Sequence, residues 1–376
     1  MKSEKKIFFN GLNELRAFAA LAVIFHHIEL FKERDHVSSL ISIRYFHYFL
    51  EKLGKNGVYL FFVLSGFLIT FLLLKEKEKN GKILFGKFYL RRIFRIWPLY
   101  YLILIISLVA IPLLGNSFEI FKEIPYYFTM VSNAKNYSIE TISLYLFFLP
   151  NLALSMGKIM VGITQAWSVG VEEQFYILWP LLILVFSRKR IAIVFSLILI
   201  SFMLVKFFNV SYIVTLLEIV PFEYMAIGAL GGYLYFYHKE KVTLYSKSKL
   251  IYLFVLASIL FLLFIRITSN YFQSIILGFL FLVLILISVD DENSIVFRNK
   301  YFSFLGTISY GIYMYHPFVL FLVFPFANGY LRSNEIYYNI YVYALVLSLT
   351  ILFSHLSYKY VESFFIKIKD SKYKSL

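Results

Sequence analysis

Ten apolar runs follow one another along this chain, at about 12–31, 56–74, 97–114, 169–187, 191–208, 212–237, 250–267, 271–289, 302–326 and 337–358. Most are close to the length a helix needs to cross a hydrocarbon core, about 20 residues. Within lipid every backbone N–H and C=O must find its partner inside the protein, so a spanning run of this kind is helical. The predicted fold class is therefore all-α: a polytopic membrane protein of about ten transmembrane helices. A chain of 376 residues that is 60% hydrophobic, with mean hydropathy +0.74, has no place among ordinary soluble domains.

The net charge of +15 does not call for a nucleic-acid partner, because cytoplasmic loops of membrane proteins collect Lys and Arg. A basic leader with Lys2, Lys5 and Lys6 precedes the first run, and KEKEKNGKILFGKFYLRRIFR follows the second. The first run lacks a small-residue cleavage pattern and is predicted to be retained as a helix. Residues 32–55 read as a loop of mixed charge, and Pro112 and Gly115 as the stop of the third helix. Section 116–168 holds apolar pieces too short or too broken to span. If 142–157 crossed the membrane, Arg188-Lys189-Arg190 would face outward, so a re-entrant segment within 116–168 is expected instead. Both termini are then cytoplasmic, with roughly 25 Lys/Arg inside against roughly 9 outside. No internal repeat is visible, and 1–376 reads as a single membrane domain with 359–376 as a cytoplasmic tail. The absence of cysteine removes disulfides, thiolate metal sites and a cysteine acyl-enzyme.

Within the first run, NELRAFAALAVIFHHIE, Arg16 and His27 are eleven residues apart. At 100° per residue that is about 1100°, three turns and roughly 20° over, so both leave one face of a helix. They stand roughly 16 Å apart along the axis, about half a hydrocarbon core. Ionisable side chains in a membrane helix are costly and normally face protein, a cavity or a partner. Taken singly, Arg16 could snorkel to headgroups and His27 could sit at the interface; the shared stripe argues for a polar channel. Arg91, Arg92 and Arg95 open the third helix from the cytoplasmic side. Arg92 and Arg95 share a face suited to a phosphate-bearing ligand, although a positive-inside anchor would look the same. Glu172 and Glu173 stand beside Trp167 and Gln174 at the expected outer start of the fourth helix. Adjacent carboxylates diverge by about 100°, so one is expected to face a site and the other solvent. His316 precedes Pro317 near the middle of the ninth helix, where it reads either as a structural histidine at a kink or as a functional one.

Five blocks, GLNELRAFAALAVIFHH, GVYLFFVLSGFLIT, FYLRRIFRI, WSVGVEEQFYILWP and ISYGIYMYHPF, occur in the order found in the integral-membrane acyltransferases of acyltransferase family 3. The chain resembles that family, which O-acetylates bacterial surface polysaccharides, over nearly its whole length. The resemblance implies that His27 is catalytic, with Arg16 its partner in the arginine–histidine motif. It implies that Arg92 and Arg95 belong to the acyl-CoA side, that Glu172 and Glu173 are the family glutamates, and that His316 is a late family histidine. It further implies acetyl-CoA or another acyl-CoA as donor, no metal, a cell-surface or lipid-linked glycan as acceptor (capsule or O-antigen), and a multi-pass place in the bacterial inner membrane. A homo-oligomer is left open. Two departures stand out. Tyr59 replaces the acid usual in the second block, so no carboxylate role is expected there. Glu14 is an extra charge close to Arg16. Some members carry a secreted esterase-like domain; none is expected here, so transfer would be completed by the membrane domain or a separate protein. The rival reading is a secondary transporter or polysaccharide exporter, with Arg16, His27, His316 and the glutamates forming a proton pathway.

Overall fold

The computed structural model describes residues 9, 11–40, 43–208, 218–265, 270–289 and 299–375. The leader lysines Lys2, Lys5 and Lys6, the first part of the predicted span 212–237, and Leu376 lie outside these. Among the described residues every regular element is helical. Seven helical segments among the described residues are long and apolar enough to cross a membrane: Phe46–Asn80, Phe85–Ser117, Ala166–Val185, Arg190–Phe207, Tyr271–Ser288, Ser309–Tyr330 and Glu335–Lys369. The three remaining predicted spans meet helices that fall short of that measure. They are α1 (Leu12–Arg34), which carries charge, and two helices of 16 residues introduced below.

Helix α1 packs on the helix that follows it and on helices near the C-terminal end of the chain. Three of its charged residues are covered by protein, with Glu14 5%, Glu29 0% and Lys32 2% exposed. Glu29 is ion-paired to Lys32 at 2.8 Å and accepts from Ser39 Oγ, the Leu40 N–H and the Tyr343 hydroxyl, so its buried charge is fully partnered. Leu12, Leu15, Ala19 and Val23 enter one apolar cluster, while Ala20, Ile24 and Ile28 enter a second. Spacings of three and four residues assign each set its own face. The stripe through Arg16 and His27 runs along the seam where the two clusters meet.

Helix α2 (Arg44–Asn80) is far longer than the predicted 56–74, and much of the predicted 32–55 loop is helical. Residues Phe46, Phe49, Leu50 and Leu53 recur at helical spacing, which gives that stretch an apolar face. Helix α3 (Phe85–Ile105) takes in all three arginines and is not stopped at Pro112. It continues through a π turn (Ile106–Ala110) into α4 (Ile111–Ser117). The widened turn accommodates a proline that can neither donate a backbone hydrogen bond nor tolerate a tight preceding carbonyl. The section that the sequence leaves broken forms α5 (Ile120–Glu123), α6 (Pro125–Lys135), α7 (Ile139–Leu146) and α8 (Pro150–Ser155), each too short to cross a membrane.

Helices α9 (Ala166–Val185), α10 (Arg188–Phe207), α11 (Phe222–Tyr237), α12 (Lys239–Ser246), α13 (Lys249–Phe264) and α14 (Asn270–Ser288) follow. The two 16-residue spans are α11 and α13. Helix α11 lies directly on α2: a Cβ on Gly228 would come within 2.1 Å of the Val63 carbonyl, and one on Gly66 within 2.1 Å of the Met225 carbonyl. Only glycine permits that approach, which is how helices associate where the hydrophobic effect gives no drive. The predicted ninth helix is two, α15 (Lys300–Thr307) and α16 (Ser309–Tyr330), broken at Ile308. Helix α17 (Glu335–Ser357) packs on α16 and leads through a second π turn (Tyr358–Glu362) into α18 (Ser363–Ser375).

One end of the bundle is set by cations. Lys77 Nζ donates to the Ile183, Leu184 and Phe186 carbonyls at 2.5, 3.2 and 3.2 Å, capping α9 at its C-terminus. Arg91 bridges α3 to Glu76 of α2 at 2.8 Å, and the Arg188 guanidinium lies 4.0 Å over the Tyr237 ring. Away from that end, Ile177, Leu181 and Val185 of α9 and Leu250, Phe254 and Phe261 of α13 are exposed apolar side chains, as a lipid-facing surface requires.

Candidate active site

The described helices bring the candidate residues into two groups on one polar line through the bundle. Arg16, Arg92 and Arg95 form the first, close enough to act electrostatically on one another and on Glu172. Arg16 donates from Nη1 to Asn13 Oδ1 at 3.1 Å, not to the neighbouring Glu14. The Arg92 guanidinium faces the Phe88 and Tyr176 rings at 5.8 and 5.5 Å, and among the described residues its buried Nε has no hydrogen-bond partner. Arg91, by contrast, is held by Glu76.

Glu172 belongs with these arginines. Its two oxygens accept from Ser65 Oγ and from the Tyr176 hydroxyl, both at 2.8 Å. Glu173 is only partly exposed and stands near Trp97, Tyr100 and Tyr101, with a buried Oε1 that lacks a hydrogen-bond partner among the described residues. The reason is the position of the helix start. Gln165 and Ala166 are buried, so α9 begins inside the protein and neither of its carboxylates is fully exposed.

The second group is made of histidines. His27 and His316 face each other from α1 and α16 with ring centroids 5.0 Å apart, and His26 lies edge-on to His27 at 5.1 Å. His27 Nδ1 is 2.8 Å from the Val23 carbonyl. Carbonyl oxygens only accept, so Nδ1 bears the hydrogen and Nε2 of the neutral ring keeps its lone pair. The ring of His27 is thus oriented by its own helix and not by a glutamate. His26 has a different setting: Nδ1 bonds the Leu50 carbonyl at 2.7 Å, and the ring fills the space that a Cβ on Gly54 would take.

Tyr313 joins the two groups. Its ring lies 5.7 Å from His316, it is close enough to Glu172 to act on it electrostatically, and its hydroxyl meets Ser168 Oγ at 2.8 Å and donates to the Gln165 carbonyl at 3.0 Å. Reading the sequence overlooked Tyr313, Ser65 and Tyr176, because a tyrosine or serine in an apolar run has no charge to mark it. It also overlooked Glu362, a buried carboxylate near Arg95 that stands in the second π turn with Oε1 unpartnered among the described residues. A lone acid in the stretch SYKYVESFF was the signal available.

A membrane protein with arginines at one end of an internal polar line and open imidazole nitrogens further along it has the parts of a group-transfer enzyme. The chain belongs to acyltransferase family 3: the family's model, described as an acyltransferase domain, matches residues 9–359. It is similar to a Staphylococcus aureus (strain COL) protein named as an O-acetyltransferase, 28% identical over 97% of this chain and 58% of that one. It is also similar to the peptidoglycan O-acetyltransferase OatA of Listeria monocytogenes, 26% identical over 94% of this chain and 55% of the relative. A third relative, YrhL of Bacillus subtilis, is named for the same peptidoglycan activity and is 26% identical over 96% of this chain and 55% of its own. The chain thus spans somewhat over half the length of these relatives. No solved structure matches it.

Proposed function

We propose that the protein is a membrane O-acyltransferase that moves an acetyl group from cytoplasmic acetyl-CoA to a hydroxyl of a cell-envelope glycan. The observation that carries this reading is the line of polar side chains from Arg16, Arg92 and Arg95 through Glu172 and Tyr313 to His316 and His27. The glycan acceptor is supported by relatives named for peptidoglycan O-acetylation. In this scheme both termini are cytoplasmic and section 116–168 is re-entrant. The guanidiniums hold the CoA phosphates by charge-assisted hydrogen bonds. Glu172 acts as the fixed counter-ion that keeps them in place while no donor is bound. His27 Nε2 takes the proton of the acceptor hydroxyl, the oxygen attacks the thioester carbonyl, and the C–S bond breaks as the proton passes to the departing thiolate.

Inverted membrane vesicles given acetyl-CoA labelled in the acetyl group test the scheme. Base-labile label should appear in the glycan fraction, and His27→Ala vesicles should show none. Proton flux without any acetyl transfer would favour the transporter reading. Orientation has its own check: a reporter fused at Leu376 should be cytoplasmic and one within 116–140 external. Access to Leu376 from outside intact cells would overturn the proposed topology.

A further inference from the structure

His316 stands one residue before Pro317 inside α16. Proline has no N–H, so the carbonyl four residues earlier, that of Tyr313, receives no helix hydrogen bond. A buried carbonyl left without a donor costs roughly 1–3 kcal/mol. Here the imidazole supplies the donor, with His316 Nδ1 2.7 Å from the Tyr313 oxygen. Since that oxygen can only accept, Nδ1 carries the hydrogen and Nε2 of the neutral ring is bare. The His316 side chain is 0% exposed, and among the described residues its buried Nε2 has no hydrogen-bond partner. The start of α9 pins the same turn from outside: Gln165 Nε2 donates to the Met314 carbonyl at 2.6 Å, and the Tyr313 hydroxyl donates to the Gln165 carbonyl. The missing proline hydrogen, the ring's hydrogen bond and the open nitrogen beside His27 are thus successive consequences of one residue.

We propose that Pro317 sets the tautomer of His316, and that the Nε2 so kept bare receives the proton that His27 has taken from the acceptor hydroxyl. The proton step rests on the acyl-transfer reading above; the tautomer step does not. In that step the N–H bond of the His27 imidazolium breaks at Nε2, an N–H bond forms at His316 Nε2, and the His27 lone pair is restored. One proton then returns through the pair to the CoA thiolate, so no net charge stays in the site. His316 handles the proton, whereas Pro317 touches no reacting atom and is a positioning residue.

The test uses the full chain in lipid nanodiscs with ¹⁵N-labelled histidine, where nitrogen shifts separate protonated from bare ring positions and His316→Asn assigns the signal. In the parent protein the neutral His316 ring should be protonated at Nδ1 and bare at Nε2. In Pro317→Ala the restored backbone N–H competes for the Tyr313 carbonyl, and both signals should move toward a mixture of tautomers. In the acetyl-transfer assay His316→Asn, which keeps a donor near Tyr313 but has nothing at Nε2, should lower kcat by about 10²-fold or more. Pro317→Ala should fall between it and the parent, with KM for the donor unchanged in both. A parent ring protonated at Nε2, or a Pro317→Ala spectrum identical to the parent, would overturn the role of Pro317. Full kcat in His316→Asn would overturn the proton step. If the parent itself transfers no acetyl, the acyl-transfer reading fails together with the proton step, and the spectra still decide the tautomer.

Discussion

His27→Ala is expected to abolish measurable acyl transfer while the protein still inserts and accumulates normally. A positioned general base contributes about two to four orders of magnitude in rate. Among the described residues, the only hydrogen bond to this ring is with Val23, one turn back on its own helix, so its loss should leave the packing of other helices largely intact. His26→Ala should behave in the opposite sense. That ring ties α1 to α2 through the Leu50 carbonyl and fills the space over Gly54, so its removal breaks an interhelical bond and opens a cavity. Lower thermal stability with much of the rate retained in the molecules that stay folded is the expected outcome. Two adjacent histidines would thus separate cleanly into rate and stability. Transfer should also decline toward acid pH, because a protonated His27 has no lone pair to offer. Parental turnover by purified His27→Ala protein would remove His27 as the base.

The helices were legible in the sequence because lipid permits few alternatives: an apolar run near 20 residues is helical wherever it lies in the bilayer. Their ends were not, since hydropathy marks only the stretch in hydrocarbon. The apolar face at Phe46, Phe49 and Leu50 that extends α2 is decided by contact with other helices, as is the break at Ile308. The Arg16–His27 stripe was readable because helical periodicity alone fixes it, and its position at a seam between two apolar clusters gives it a place to go. The glutamates show the limit of such reasoning. The 100° divergence of Glu172 and Glu173 holds, but the expectation that one meets solvent assumed a helix start at the protein surface, and α9 starts buried. Tyr59, standing where the family usually has an acid, is stacked on Tyr224 with ring centroids 3.6 Å apart. The Lys55 ammonium lies 5.7 Å over the same Tyr59 ring, so an aromatic face with a cation above it occupies that position.

Removing Arg92 and Arg95 should weaken the donor, and the neighbouring Arg91 supplies the control. All three guanidiniums carry the same charge within five residues of chain, so a purely topological role predicts nearly equal effects from each. The structure separates them. Arg91 is used up in bridging α3 to Glu76 of α2 at 2.8 Å, whereas Arg92 has a buried nitrogen without a partner among the described residues and Arg95 is exposed on the same face. A charge-assisted hydrogen bond to phosphate is worth about 1.5–3 kcal/mol, so each lost contact should raise the Kd for CoA roughly 10- to 150-fold. Arg92→Ala belongs toward the upper end, because its contact is shielded from water. Arg95→Ala belongs toward the lower end, and its effect should shrink as salt is raised and the exposed charge is screened. Arg91→Ala should leave CoA affinity near the parental value and lower stability instead. Calorimetric titration of CoA into each purified variant in nanodiscs reads all of this directly. Parental affinity in the double variant Arg92→Ala, Arg95→Ala would reduce the pair to a positive-inside anchor, and the donor would have to be held elsewhere.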